Sequence, residues 1–273
     1  MDILPYFSDI PYTGGKGICR LDALELEPTV LHAVQARCAG AVCAAVVLFP
    51  YLVRDTGNLS LYARGADYHT VVRDALEPVC AALRRDFPQN TFVPLVDASP
   101  LPEVRAAWIS GAGMLGKNGL IFDRVYGSFV FIGTVLTDLP ADPTPSARET
   151  CPDCGACARA CPTGALRDGS VDESACLSAL TQSKQELSEE QLRQLAGHPL
   201  IWGCDTCSLV CPLNRAAQET PNPAFRQARI CSLAPEDVEG RTRKQLLRAF
   251  PDRAFTWRGP APLVRGLSLK GQK

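Results

Sequence analysis

The chain of 273 residues carries 28 lysine and arginine residues against 29 aspartate and glutamate residues, which gives a formal net charge of -1. The isoelectric point near 6.3 excludes a chain-wide basic surface for nucleic acid, although it leaves room for a local basic patch. The longest apolar run, residues 39–53, is too short to cross a bilayer and contains Pro50, so no membrane-spanning helix is expected.

The first half of the sequence shows both strand and helix patterns. Residues 41–53, AVCAAVVLFPYLV, form a continuous apolar and β-branched run that is typical of a central strand. Residues 67–87 place apolar side chains at helical spacing, and Pro88 ends the predicted helix. Residues 91–97 predict a second strand, and residues 120–140 predict two strands around a Tyr-Gly turn.

The second half has a different character, and a Pro-, Thr- and Ser-rich stretch at 141–150 is the predicted linker. We therefore predict three parts: an α/β domain over 1–145, a cysteine-rich module over 146–215 and a C-terminal extension over 216–273. Within the module, residues 182–199 predict a helix or a helix pair, with Ser188 as the cap and Gly197 as the end. The extension lacks apolar periodicity and is expected to wrap the surface.

Cysteine is the unusual residue in the composition, because there are 13 cysteines and their number is odd. The N-terminal residues MDILPYFSDI show neither a basic region nor an apolar core of an export signal, so we expect a cytoplasmic protein. Clustered Cys-x-x-Cys in such a chain indicates metal or redox chemistry. Five cysteines lie outside the motifs and are predicted to be small core residues: Cys19, Cys38, Cys43, Cys80 and Cys231.

Two motifs carry the iron–sulfur prediction. The first is C-x2-C-x2-C-x3-C-P from Cys151 to Cys161, and the second is C-x2-C-x3-C-P from Cys204 to Cys211. In two-cluster ferredoxins the cysteine before proline ligates the other cluster. The same exchange assigns to cluster I Cys151, Cys154, Cys157 and Cys211. It assigns to cluster II Cys161, Cys204 and Cys207, with Cys176 as the completing ligand.

Structural zinc is the alternative for these cysteines, because zinc also binds paired Cys-x-x-Cys. Zinc closes one tetrahedron with two such pairs. Eight thiolates with two Cys-Pro endings fit two [4Fe–4S] clusters better.

Further stretches in a fixed order accompany these motifs: LYARGADYHTVV (61–72), VDASPLPEVRAAWISGAGMLGKNGLI (96–121), YGSFVFIGTVLTDLP (126–140), CLSALT (176–181) and WGCDTCSLVCPLNR (202–215). Together they resemble the epoxyqueuosine reductase family over residues 40–215, a family similar to the cobalamin-dependent reductive dehalogenases. The resemblance implies an α+β protein, with an N-terminal α/β cobalamin-binding domain followed by a ferredoxin-like double [4Fe–4S] domain. It implies an oxidoreductase that passes electrons through two clusters to cobalamin and reduces epoxyqueuosine in tRNA to queuosine.

The resemblance also implies site residues. Asp97, at the end of a predicted strand, matches the family's proton donor. Removing the epoxide oxygen as water needs an acid near it, and we expect burial beside the corrin to raise the pKa of this carboxyl. The residue pattern alone fits a turn-capping aspartate equally well.

Other positions match family stretches near the cofactor: Tyr62, Arg64, Asp67, Tyr68 and His69. A half-buried histidine at a helix start is the alternative for His69. Lys117 and Asn118 are expected beside corrin amides or phosphate, with a solvated loop lysine as the alternative. Ser178 and Asp205 are expected to face the corrin from the cluster II side, unless Asp205 only bonds loop amides.

The sequence also departs from the family. Residues 254–273 resemble the entry to the family's C-terminal helical repeats, so we expect a short member that lacks this region. The departure weakens the expectation of tRNA binding and leaves the cofactor chemistry intact. We expect a monomer that takes electrons from a flavodoxin or ferredoxin and does not bind a membrane. A reductive dehalogenase-like enzyme for a small substrate and a non-catalytic two-cluster electron carrier remain the alternatives.

Overall fold

The computed structural model describes residues 1–167 and 169–271. Its strands are β1 (Lys16–Arg20), β2 (Cys43–Pro50), β3 (Phe92–Val96), β4 (Met114–Leu115), β5 (Ile121–Phe122), β6 (Val130–Thr137), β7 (Leu166–Arg167) and β8 (Ser170–Val171). Its α-helices are α1 (Pro28–Arg37), α2 (Tyr68–Asp86), α3 (Glu103–Ile109), α4 (Ala156–Ala160), α5 (Leu177–Gln182), α6 (Glu189–Gly197), α7 (Thr206–Leu209), α8 (Pro223–Arg226), α9 (Pro235–Val238), α10 (Arg243–Ala249) and α11 (Pro260–Lys270).

A four-stranded antiparallel sheet in the order β1-β2-β6-β3 forms the centre of the N-terminal part. All residues of β2 are buried, as its apolar sequence predicts. Alternate residues of β2 enter two different cores: Ala45, Val47 and Phe49 pack with α2, whereas Val46 and Leu48 pack on the side of α1 and α3. Helices therefore cover both faces of the sheet, and the predicted mixed α/β character is confirmed.

The predicted helix over 67–87 and strand over 91–97 are confirmed as α2 and β3. The hairpin expected over 120–140 is different, because β5 pairs with β4 and only β6 joins the central sheet. Asp123 separates the two strands: its side chain accepts hydrogen bonds from the backbone N–H groups of Val125 and Tyr126.

The cysteine-rich part is built from short helices and the small β7–β8 hairpin. Its α4 and α7 helices, one from each cysteine motif, pack against each other. The helix predicted over 182–199 is confirmed as α6, with Ser188 in a capping box.

The C-terminal residues do not merely wrap the surface, so that expectation was wrong. Helices α9 to α11 and the turn Ala254–Thr256 supply buried side chains, Phe255 and Leu263 among them, to a core shared with Leu59 and Trp202. Helices α9 and α10, of four and seven residues, are too short to show an amphipathic period in the sequence. Residues 272 and 273 of the predicted extension lie outside the described residues.

Candidate functional site: two cysteine cavities and an Asp-His-Asp network

The first cavity has a volume of about 110 Å³, and its cysteines are Cys151, Cys154, Cys157 and Cys211. We call it cavity I. Three of these cysteines come from the loop and first turns around α4, and the fourth follows α7 from the second motif. Gly155 makes the tight loop possible, because its φ of 70° lies in the left-handed region.

The second cavity, cavity II, has a volume of about 520 Å³ and contains the cysteines Cys161, Cys176, Cys204 and Cys207. Cys176 stands at the N-cap of α5, so the segment between the two motifs supplies the fourth thiol. The cysteine before proline in each motif faces the cavity of the other motif. These are the two sets of four that the exchange rule assigns, and the ligand assignment itself stays a prediction.

The thiols within each set influence one another. Burial raises the pKa of Cys211, and nearby Cys154 and Cys157 raise it further. Burial likewise raises the pKa of Cys207 to about 11, with Cys204 and Cys176 adding to the effect. Thiolates gathered in this way need a cationic group to neutralise them.

Among residues 1–167 and 169–271, no three His, Cys, Asp or Glu side chains converge on a point where a single metal ion would fit. A tetrahedral zinc site closes with two Cys-x-x-Cys pairs, whereas two cubanes take eight thiolates in two sets of four. The donor chemistry, soft sulfur in two sets of four, therefore fits iron–sulfur clusters better than mononuclear zinc.

Asp97 follows β3 and adopts a φ of 57°, a left-handed conformation that aspartate tolerates better than most residues. Its Oδ2 accepts a hydrogen bond of 2.6 Å from the Tyr68 hydroxyl and lies 3.1 Å from His69 Nε2. The other ring nitrogen, Nδ1, lies 2.7 Å from Asp67 Oδ1. Asp67, His69 and Asp97 thus form a continuous network, hereafter the Asp-His-Asp network.

The network shifts the pKa values of His69 and Asp97 in opposite directions. The hydrogen bond to Asp67 and then the bond to Asp97 raise the pKa of His69 to about 9. The hydrogen bond to His69, against the opposing effect of burial, lowers the pKa of Asp97. We expected burial to raise the pKa of Asp97; in the chain alone that carboxyl is 61% exposed and ionised at neutral pH.

The Asp-His-Asp network and cavity II are neighbours. The rings of Tyr62 and Tyr68 meet edge to face with centroids 6.4 Å apart, and Tyr62 lines cavity II. The indole of Trp202, fully buried, donates a 2.9 Å hydrogen bond to the Tyr62 hydroxyl and holds it in place. The predicted acid therefore stands one aromatic contact from the space beside the second set of cysteines.

Four of the predicted cofactor contacts line cavity II: Tyr62, Asn118, Ser178 and Asp205. Asp205 accepts hydrogen bonds from the Ser60 hydroxyl at 2.5 Å and the Leu61 N–H at 3.0 Å, which ties the second motif to the α/β part. Asn118 lines both cavities.

The structure places Lys117 and Arg64 elsewhere. Lys117 lies at cavity I, where its N–H donates to Cys151 Sγ and its Nζ pairs with Asp153. Arg64 is 3% exposed, and its guanidinium bonds to Asp55 and to backbone carbonyls. Arg64 stabilises the loop that carries Tyr62 and has no free face for a cofactor. Asp67 acts as the N-cap of α2 and holds His69.

Sequence reasoning missed two residues at this site, Tyr51 and Glu103. Tyr51 lines cavity II directly after β2. Its position at the end of a central strand could have marked it as a site residue, because ligands bind at strand ends in α/β sheets. The carboxyl of Glu103 lies beside Asp97, and no local pattern marks it. Of the five cysteines predicted for the core, Cys231 is the exception: it is half-buried and bonds to Asp55.

The fold and the site define a class: a redox protein in which an α/β domain is joined to a two-cluster iron–sulfur module. Residues 150–214 match the family model of the 4Fe–4S double cluster binding domain, and residues 41–98 match that of "Epoxyqueuosine reductase QueG, DUF1730". The epoxyqueuosine reductase of Escherichia coli (strain K12) is 35% identical over 239 residues, which are 86% of this chain and 62% of that protein.

Solved structures agree. A selenomethionine-labelled epoxyqueuosine reductase superposes with a TM-score of 0.84 at 25% identity, over 98% of this chain and 80% of that one. An epoxyqueuosine reductase solved with an epoxyqueuosine-modified tRNA-Tyr stem loop has a TM-score of 0.81 at 24% identity, over 98% of this chain and 79% of that one.

Over most of its length the chain is similar to members of the epoxyqueuosine reductase family. It spans about 62% of the length of the curated Escherichia coli relative. Within residues 1–167 and 169–271, no helix is long and apolar enough to cross a membrane.

Proposed function

We propose that this chain is a cobalamin-dependent iron–sulfur reductase that converts epoxyqueuosine to queuosine in tRNA. One observation carries the proposal: the predicted acid, Asp97, is held by His69 and Tyr68 next to the cavity that contains four cysteines. The proposed proton donor and electron relay are thus neighbours in the fold, as a reductive C–O cleavage requires.

The electron path follows from the two cysteine sets. We propose cluster I on Cys151, Cys154, Cys157 and Cys211, nearer the exterior because Cys154 is exposed. Cluster II, on Cys161, Cys176, Cys204 and Cys207, lies toward the Asp-His-Asp network. Electrons from a flavodoxin or ferredoxin would enter at cluster I and leave from cluster II.

The residues at cavity II suit a corrin. Its wall combines the rings of Tyr51 and Tyr62 with polar groups of Ser178 and Asp205, and a corrin presents an apolar ring with amide side chains. The Nδ2 of Asn118, a residue 5% exposed, finds no hydrogen-bond partner within the described part of the chain. Such a buried donor fits a ligand that supplies an acceptor. When bound, cobalamin supplies a low-valent cobalt that reduces the epoxide.

The protein's own part is to place and move protons. Tyr68 and His69 fix the carboxyl of Asp97, and Asp67 fixes His69, so the acid is oriented before the substrate arrives. A corrin and a substrate covering Asp97 would remove it from water and raise its pKa toward the neutral range. The substrate would be tRNA, the chain a monomer and its place the cytoplasm, where tRNA is modified.

The test is anaerobic reconstitution with iron, sulfide and cobalamin, followed by reduction and addition of tRNA that contains epoxyqueuosine. Mass spectrometry of the digested tRNA should find queuosine. Asp97→Asn should retain iron and corrin but lose turnover by at least about a hundredfold, in the range for a general acid. The exposed Asp9→Asn is the matched control.

Normal turnover by Asp97→Asn would refute the role of Asp97. Clusters without retained cobalamin would favour the electron carrier. Retained cobalamin that reduces an organohalide but not the tRNA would favour the dehalogenase-like enzyme.

A further inference from the structure

The proposed reaction uses two protons, and the site described so far contains one acid. Conversion of an epoxide to an alkene and water breaks two C–O bonds, forms the second bond of the C=C, and takes up two electrons and two protons. The clusters deliver the electrons. Asp97 gives one proton and must regain one before it can give the second.

Glu103 lies on the protein side of Asp97, at the first residue of α3. Its carboxyl faces the backbone N–H of Asp97, and its Oε1 is buried without a hydrogen-bond partner among the residues that the structure describes. An ionised carboxylate with a buried oxygen that no donor contacts is costly, whereas the neutral acid carries its own O–H.

The charged groups that face Glu103 favour this neutral form. Asp97, on the loop after β3, is negative, and His69, at the start of α2, is positive but already bound to Asp67 and Asp97. Arg105, on the same helix, is paired with Glu25 at 2.6 Å. Burial and then the charge of Asp97 raise the pKa of Glu103 to about 8, while the pKa of Asp97 itself is lowered. At neutral pH the stored proton therefore sits on Glu103.

We propose that Glu103 stores the proton that recharges Asp97 between the two proton transfers of one turnover. As the substrate covers it, Asp97 takes up one proton from solvent and gives this proton to the epoxide oxygen as the first C–O bond breaks. The O–H of Glu103 then returns a proton to the Asp97 carboxylate, which gives it to the departing hydroxyl so that water leaves. Bound substrate covers the exposed face of Asp97, and Glu103 is reprotonated from solvent after product release. This inference rests on the proposed function, and Glu103 is a positioning residue because it acts through Asp97.

The first measurement uses the chain with its clusters but without cobalamin or substrate. Infrared difference spectroscopy should find a neutral carboxyl band that titrates near pH 8. The band should be absent in Glu103→Gln and present in the exposed control Glu27→Gln. In Asp97→Asn its midpoint should shift to lower pH, because a negative neighbour has been removed.

The second measurement is turnover of the reconstituted enzyme as a function of pH. Glu103→Gln should slow turnover at least about tenfold at pH 7, with substrate binding unchanged, if proton supply becomes limiting. Wild-type turnover should decline above about pH 8, and that limb should disappear in the variant.

Two results would overturn the proposal: a band that persists in Glu103→Gln, or a wild-type rate and pH profile in that variant. A wild-type chain that binds cobalamin but never reduces the tRNA would count against the proposed function instead. In that case an infrared band whose midpoint does not respond to Asp97→Asn would still overturn the coupling between Asp97 and Glu103.

Discussion

His69 joins the predicted acid to the body of the fold, since its ring bridges the carboxylates of Asp67 and Asp97. The pKa of His69 is raised to about 9, above its value of 6.5 in an unfolded chain. The charged histidine therefore stabilises the folded state fully below pH 6.5, and this contribution disappears as the pH rises through about 9.

His69→Gln should consequently lower the free energy of unfolding by about 1–3 kcal/mol at pH 6 and by almost nothing above about pH 9. Chemical denaturation at several pH values measures the difference. His32→Gln, at an exposed position of α1, is the control. A constant difference across this range would show that His69 acts by packing alone.

Asn118 is the residue that contacts both cysteine cavities. Its carboxamide lies close enough to Cys207 to lower the pKa of that thiol against the larger effect of burial, although the geometry is short of a regular hydrogen bond. Hydrogen bonds to cluster sulfur raise the reduction potential because they stabilise the more negative reduced state.

Asn118→Ala should therefore lower the midpoint potential of one cluster and leave the iron content unchanged. An EPR-monitored redox titration measures the shift, with Asn90→Ala as the control, since Asn90 bonds to Asp138 away from both cavities. Unchanged potentials would leave Asn118 with a role in corrin binding only.

At the scale of elements, Cys176 links helix α5 to cavity II. The residue is the N-cap of this helix, and its thiol completes the set in cavity II. The segment between the motifs therefore has to fold onto the second motif before cavity II can exist.

Cys176→Ala should bind about four irons per chain instead of about eight, because one cubane loses a ligand. Iron analysis after reconstitution gives the count. Cys231→Ser, outside both cavities, should keep about eight irons, with two four-iron clusters intact. A full iron content in Cys176→Ala would refute the proposed ligand set.

At the scale of the whole molecule, the C-terminal helices complete a core with Leu59, Ile201 and Trp202. That core supports the loop with Tyr62 on one side and the second cysteine motif on the other. Loss of packing at α10 should therefore destabilise the chain and, with it, the retention of cluster II.

Leu246 and Leu247 provide a matched pair on α10, because Leu246 is fully buried whereas Leu247 is 43% exposed. Leu246→Ala should lower the free energy of unfolding by about 2–5 kcal/mol, and Leu247→Ala by less than about 0.5 kcal/mol. Thermal or denaturant unfolding of the two variants compares them. Equal effects would mean that the C-terminal helices do not share the core of the rest of the chain.

Much of the fold was predictable where a single segment carries the signal. The apolar run of β2, the amphipathic α2 and the capping box of α6 each specify their own structure locally. The pairing of β5 with β4 was not predictable, because a two-residue strand has no period and its partner is chosen by the surrounding packing. Helices α9 and α10 were missed because four and seven residues also show no clear period.

The sequence by itself determined the double-cluster module and predicted the strand-end aspartate as the acid, because cysteine spacings, the position of one residue after a strand and the order of motifs are all local or ordinal properties. Only the tertiary structure decided which side chains share a space. It brings Asp67, His69 and Asp97 into one network, moves Lys117 to cavity I, buries Arg64 and sets Glu103 behind the acid. Burial and through-space charge set the pKa values of His69, Asp97 and Glu103, and both effects depend on neighbours that are distant along the chain.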